Sequence, residues 1–285
     1  MSLSFPASLT HLQGSQAVLA ALLGACLGSF LNVVAWRLPR EESLLHPGSH
    51  CPHCGSPVRW YDNVPVLSWV WLGARCRDCR SPISARYPLV ELLSAGLAVA
   101  MLAAGPAGLG AEPSRWLVVG AGWLLAAWLL PLVLIDLDRL WLPEPLCRWG
   151  LVLGVLATGV IGFAQGEATG RSVLFHHLLA AAVGLLGFEA TSGLAARLLG
   201  RPALGLGDAK LAALLGAWLG LAGLGAMVLL AAFSGALVGS IGRLSGRLKR
   251  HQPFAFGPFL ALAGVVVWCT GPAPWLGLVA RAAGS

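Results

Sequence analysis

Long apolar stretches follow one another along this chain with almost no charge inside them, and that succession limits its fold more than any other feature. Charged residues make up 11% of the 285 positions and hydrophobic ones 57%, where a soluble domain carries roughly 25% charged residues. Such a chain is neither disordered nor an ordinary soluble domain, so lipid is the solvent for most of it. Candidate spans fall at about 14–36, 87–105, 116–135, 145–164, 173–195, 209–224, 225–242 and 254–275, near the ~20 residues a membrane helix needs. The expected fold is therefore an all-α polytopic membrane protein of about eight transmembrane helices. Segments 209–224 and 225–242 are the least separate: Gly220, Gly223 and Gly225 lie between them with no charge, so one bent or re-entrant unit is an alternative.

The formal net charge of +7 suggests nucleic acid only until its placement is considered. With alternating sides, all of the 19 Lys and Arg except Arg115, Arg171 and Arg281 fall on one face of the membrane. Short cytoplasmic loops collect Lys and Arg. That face is thus expected to be cytoplasmic, with both termini outside, a long cytoplasmic loop at about 38–86, and a lipid partner rather than a nucleic acid. Leu23-Gly24-Ala25-Cys26 resembles a lipobox, but a cleaved signal needs a basic start and the first basic residue is Arg37, after the apolar run. Gly24/Gly28, Gly216/Gly220 and Gly235/Gly239 have the spacing that lets membrane helices approach closely. Trp116, Trp141, Trp149 and Trp268 lie near predicted span ends, where an indole suits the headgroup level.

Four of the seven cysteines form Cys51-Pro-His-Cys54 and Cys76-Arg-Asp-Cys79, both inside the loop. Each pair can converge on one ion, and four sulfurs favour a structural Zn²⁺ with no open coordination position. Two disulfides are the rival, disfavoured in a reducing cytoplasm. A loop of about 50 residues buries too little apolar surface to fold alone, which gives a metal a physical task. His53 sits inside the first pair and His50 beside it; either could replace a sulfur, but a role next to the ligands or facing solvent is expected of them, and Cys26, Cys147 and Cys269 are isolated packing residues.

A carboxylate at a helix centre costs roughly 2.5–3.5 kcal/mol to insert, so each acid near a span needs a reason. Asp136 closes one apolar run, and Gly205-Leu206-Gly207-Asp208 opens another. On the expected topology both lie at cytoplasmic helix ends, where paired carboxylates could share a proton, one activating water and the other protonating a scissile carbonyl. Gly205 and Gly207 would let a substrate backbone approach and let the chain turn into the helix. The same residues also fit a plain alternative: Asp208 as a helix N-cap and Asp136 paired with Arg139. Glu189, His176 and His177 carry no motif, and packing or a polar helix contact is expected of them.

The chain resembles the type IV prepilin peptidases, membrane aspartic proteases of the GxGD type. The resemblance rests on Gly28-Ser-Phe-Leu-Asn-Val-Val34 with Arg37-Leu-Pro39, both cysteine pairs, Trp60-Tyr-Asp-Asn-Val-Pro-Val-Leu-Ser68 and Arg86-Tyr-Pro-Leu-Val-Glu91. It continues through Ile135-Asp136, Leu142-Pro143, Gly205-Leu-Gly-Asp-Ala-Lys-Leu211 and Phe256-Gly-Pro-Phe-Leu260. It implies Asp136 and Asp208 as catalytic residues, supported by Gly205, Gly207 and Lys210, acting at the cytoplasmic face of an inner membrane. It further implies prepilin or type II secretion pseudopilin substrates, cut after the glycine that ends a basic leader, and S-adenosylmethionine-dependent methylation of the new amino-terminus. Two departures stand out: Glu144 follows Pro143 where the family commonly has aspartate, and Pro202 stands where many members have glutamate. No Gly-x-Gly-x-x-Gly motif follows a strand, so a methyl donor would bind in the loop or between helix ends, with Glu91 and Glu144 as candidate neighbours. Glu91 equally reads as an interfacial carboxylate paired with Arg86. The expected division is a first transmembrane helix at 1–37, a cysteine loop at 38–86 and a peptidase domain at 87–285. A proton- or ion-coupled transporter using the two aspartates at midplane depth, or an inactive assembly scaffold, is the alternative function.

Overall fold

The computed structural model describes residues 14–104, 112–199, 205–246 and 254–283. Its helices are α1 (Gly14–Arg37), α2 (Leu67–Trp71), α3 (Arg86–Ala104), α4 (Glu112–Arg139), α5 (Glu144–Ala164), α6 (Glu167–Leu199), α7 (Leu206–Leu244), α8 (Gly257–Thr270) and α9 (Ala273–Ala283). Two short 3₁₀ turns, Leu38–Arg40 and Trp60–Asn63, and two isolated β-bridges accompany them among the described residues. Helices α1, α3, α4, α5, α6 and α7 are long and apolar enough to cross a membrane, and α8 is a shorter apolar helix. Helix α7 takes in both segments expected at 209–224 and 225–242. Its 39 residues would measure about 58 Å if straight, nearly twice a ~30 Å hydrocarbon core. It breaks at Gly220, whose φ of 68° and ψ of 179° only glycine adopts readily. Arg201, Pro202, Arg247, Lys249 and Arg250 lie outside the described residues.

The chain forms two compact units, residues 1–104 and 105–285. In the first, α1 packs on α3 through the glycines the spacing singled out. A Cβ on Gly24 would come 2.7 Å from the Ser94 carbonyl oxygen, and one on Gly28 would come 2.9 Å from Glu91 Cα. Between these helices, residues 38–85 form the cysteine loop, and buried Arg37 organises its start by donating to the carbonyls of Ser43 (2.9 Å) and Gly48 (3.2 Å).

In the second unit the N-terminal half of α7 is the hub: every residue from Leu211 to Trp218 is buried. A helix buried on all sides needs apolar residues all round and small ones where neighbours cross. Against α6, a Cβ on Gly184 would lie 2.7 Å from the Ala212 carbonyl, and one on Gly216 would lie 2.5 Å from that of Ala180. Against α5, Gly150 and Gly154 make room for the indoles of Trp128 and Trp218, which donate to the carbonyls of Leu146 (2.8 Å) and Gly150 (2.9 Å). Trp116, Trp141 and Trp149 are exposed, whereas Trp268 packs edge-on against Trp218 at 5.8 Å and belongs to the core rim. Gly220 serves the break in α7 and also the approach of α6, where a Cβ would come 3.1 Å from His177 Nε2, and Gly239 meets no atom within 4 Å.

Candidate active site

Four chain segments meet at one end of the second unit: the end of α4, the turn into α5, and the starts of α7 and α8. Asp136 lies in the last turn of α4 and is 5% exposed. Its Oδ2 accepts the backbone N–H of Gly257, the first residue of α8, at 3.1 Å. Asp208 lies in the first turn of α7, where its Oδ2 accepts the N–H of Gly205 at 3.2 Å. Gly205 is the N-cap and Asp208 the third helical residue, so Asp208 is not itself the cap. Its carboxylate reaches back to the cap N–H as one half of a capping box. The two aspartates come within electrostatic reach of each other. Both sit at helix ends instead of midway along a span, which is the placement expected of a peptidase dyad and not of a transport site.

The glycines before Asp208 act differently from the expectation. Neither adopts positive φ, so neither is needed for a turn. A Cβ on Gly207 would fall 3.2 Å from Leu142 Cβ, so its lack of a side chain lets the α4–α5 connection pack against α7. A Cβ on Gly205 would meet Asp208 Oδ2 at 3.5 Å and Gly207 N at 3.9 Å, both ordinary contacts. Lys210, one turn inside the same helix, pairs with Glu144 at the start of α5 at 2.8 Å. Glu144 therefore meets the lysine of the Gly-x-Gly-Asp segment, tying α5 to α7 beside the aspartates. The buried Cys147 thiol lies below them, within reach of the charges of Lys210, Glu144 and Asp136.

In the first unit, Cys51, Cys54, Cys76 and Cys79 bring their Sγ atoms within 4.8 Å of one another. Cys51 and Cys79 are 3.8 Å apart, close to the ~3.8 Å edge of a tetrahedron with Zn–S bonds of ~2.3 Å and far beyond a disulfide's ~2.05 Å. Two copies of one turn build the cluster. Cys51 N–H donates to Ser56 O and Gly55 N–H to Cys51 O; Cys76 N–H donates to Ser81 O and Arg80 N–H to Cys76 O. Gly55 and Arg80 hold the same position at φ 71° and 60°. Backbone N–H groups of Cys54 and His53 point at the Cys51 sulfur and pull its thiol down to about 6. Those of Cys79 and Asp78 also point at the Cys76 sulfur, but burial and the neighbouring Cys51 and Cys79 thiols leave that thiol raised. Donors aimed at sulfur favour the thiolate a metal binds, so the residues fit zinc.

Glu91 is 6% exposed, and its Oε2 accepts the N–H of Val66 at 2.7 Å. Val66 has φ 61°, a conformation a β-branched residue seldom takes. Glu91 thus holds a strained point of the loop against α3.

Two functional contacts had no role in the sequence reading, Val66 to Glu91 and Gly257 to Asp136. The first leaves no pattern in sequence. The second does: Gly257-Pro258 after an aromatic residue is a helix-start signal, with proline near the first helical position.

Residues 22–104 match the family described as Bacterial Peptidase A24 N-terminal domain, and residues 123–240 match the Type IV leader peptidase family. The chain is 38% identical over 281 residues to the prepilin leader peptidase/N-methyltransferase of Burkholderia pseudomallei (strain 1026b), covering 88% of this chain and 84% of that protein. It is 38% identical over 266 residues to the type 4 prepilin-like proteins leader peptide-processing enzyme of Escherichia coli O78:H11, covering 87% and 91%. Against the prepilin leader peptidase/N-methyltransferase of Aeromonas hydrophila it is 38% identical over 288 residues, covering 89% and 90%. No solved structure matches the chain.

Proposed function

The chain belongs to the type IV leader peptidase family and is an enzyme of it, a prepilin peptidase with an N-methyltransferase activity, and on that premise we infer how its residues divide the work. Asp136 and Asp208 are the catalytic carboxylates. One takes a proton from a water that attacks the scissile carbonyl, and the other protonates the carbonyl oxygen. Collapse of the tetrahedral adduct breaks the C–N bond, and the shared proton leaves with the new amine. The observation that carries this reading is that two aspartates from different helices, each held by a glycine N–H at one oxygen, meet at one end of the second unit. Oδ1 of each takes no hydrogen bond among the described residues and remains for the water and the shared proton.

The substrate is a prepilin or pseudopilin, cut after the glycine that ends its basic leader at the cytoplasmic face of the inner membrane. The methyl group of S-adenosylmethionine then passes from sulfonium sulfur to the freed amine, releasing S-adenosylhomocysteine and a proton. Glu144, held by Lys210, borders the place where that amine forms, and Glu91 acts in the first unit by fixing the loop. The four cysteines hold a structural Zn²⁺ that closes the loop and takes no part in cleavage.

The test is cleavage of a leader-bearing prepilin by detergent-purified protein, with the new terminus measured by mass spectrometry. Asp136→Asn and Asp208→Asn each lower the rate by more than ~10²-fold while leaving the protein folded. If either variant cleaves at the wild-type rate, that residue is not catalytic.

A further inference from the structure

We propose that the Phe256-Gly257-Pro258-Phe259 segment is a clamp that orients Asp136 for cleavage, with Gly257 as its positioning residue; the inference rests on Asp136 being one of the two catalytic carboxylates.

The start of a helix has free backbone donors, and among residues 257 to 260 all but one are used up or removed. Pro258 has none. The N–H groups of Phe259 and Leu260 both donate to the Phe256 carbonyl, at 3.0 and 3.3 Å. The donor left is the buried Gly257 N–H, and it goes to Asp136 Oδ2 at 3.1 Å. The contact also requires glycine: a Cβ at 257 would lie 2.5 Å from Asp136 Oδ2 and 3.5 Å from Leu211 Cδ2. The distance to Leu211 is ordinary contact, so the carboxylate is what a side chain at 257 would displace.

The segment is itself anchored. The Phe256 and Phe259 rings stack at 6.4 Å between centroids, 18° apart, and Phe254 lies against Phe259 at 5.1 Å. Phe256 rests on Gly235 of α7, where a Cβ would come 3.1 Å from its Cε2. The position of Asp136 Oδ2 is therefore set through Gly235, the Phe256 ring and the Gly257 N–H. An oxygen that accepts an amide N–H is the poorer place for a proton, so the clamp directs proton exchange to Oδ1. Asp208 has the same arrangement through Gly205, which leaves the two Oδ1 atoms for the reacting water.

The experiment compares wild type, Gly257→Ala, Gly235→Ala and Asp136→Asn as full-length protein in detergent. It measures kcat and KM for a leader-bearing prepilin, thermal midpoint, and S-adenosylmethionine-dependent methylation of an already cleaved pilin. Displacing a reacting group by about an ångström costs on the order of 10²-fold, so Gly257→Ala is expected to lose about that factor in kcat. Its KM, thermal midpoint and methylation rate stay at wild-type values. Gly235→Ala, which disturbs only the Phe256 ring, shows a smaller fall in kcat with KM unchanged. Asp136→Asn does not cleave.

Gly257→Ala keeping more than about a tenth of the wild-type kcat while Asp136→Asn is inactive would overturn the clamp and leave the catalytic assignment standing. A parallel fall of kcat, methylation and thermal midpoint would make the segment a packing element, which also overturns it. Cleavage by Asp136→Asn at the wild-type rate would remove both the assignment and the clamp.

Discussion

Asp62 and Arg77 fasten the middle of the cysteine loop to its second turn through two parallel hydrogen bonds, of 2.7 Å from Nε to Oδ2 and 2.5 Å from Nη2 to Oδ1. The guanidinium holds the Asp62 carboxyl below the usual carboxylate range. A carboxyl whose folded pKa lies below its unfolded value of ~3.9 stabilises the fold above that pH and loses the contribution as pH falls through the folded value. Wild type is therefore more resistant to unfolding of the loop than Asp62→Asn at neutral pH, and the gap closes as pH drops below about 4; hydrogen exchange of loop amides against pH measures it. The two cysteine turns supply a second contrast. Gly55 and Arg80 share a left-handed backbone, and no neighbouring atom lies within 4 Å of a Cβ at 55. Gly55→Ala should cost about 1–2 kcal/mol through the backbone alone, whereas Arg80→Gly should be close to neutral as relief of strain offsets lost unfolded-state restriction. Denaturation of zinc-loaded protein distinguishes the two.

Among the helices, α7 departs furthest from regular geometry. Ala217, three residues before the break at Gly220, offers its carbonyl to Nδ1–H of His177 at 2.9 Å and to the Thr158 hydroxyl at 3.4 Å. Helices α5 and α6 thus both hold the break, and His177, which carried no motif, has a definite task. Gly220→Ala should lose about 1–3 kcal/mol, because its φ and ψ exclude a side chain. Gly239→Ala, in open space, should be neutral or gain up to about 1 kcal/mol; thermal unfolding in detergent compares them. The apolar runs and their flanking charges made most helices legible in the sequence. The break was harder: of Gly220, Gly223 and Gly225, only Gly220 takes positive φ, and the choice depends on His177 from another helix. Helix α6 runs from Glu167 to Leu199, past the expected 173–195 at both ends, and α9 was not foreseen. Helices project polar turns beyond the apolar core, and hydropathy does not see them.

For the molecule as a whole, the second unit draws its cohesion from packed helices, while the loop of the first gathers four sulfurs within 4.8 Å of one another. Removing zinc with a strong chelator should therefore abolish hydrogen-exchange protection across residues 42–85 and leave helical circular dichroism nearly intact; a loop equally protected without metal would show the ion to be dispensable. The candidate site was legible where reactive residue types stand in short motifs: the four cysteines singled out by their spacing come within 4.8 Å of one another, and Asp136 and Asp208 both lie at helix ends. It was illegible where the contact is backbone, as at Gly257, or where a helix-start residue does two jobs, as at Asp208. Val66 and its partner Glu91 belong to the same class, and their separation of 25 residues has a consequence for biogenesis. At a synthesis rate of about 5–20 residues per second, Glu91 leaves the ribosome roughly one to five seconds after Val66. The second cysteine turn, complete by Pro82, emerges in that interval, the first having preceded Val66. The strained peptide at Val66 thus waits for its acceptor until the next span enters the bilayer, so the nascent loop locks only as the translocon takes up α3.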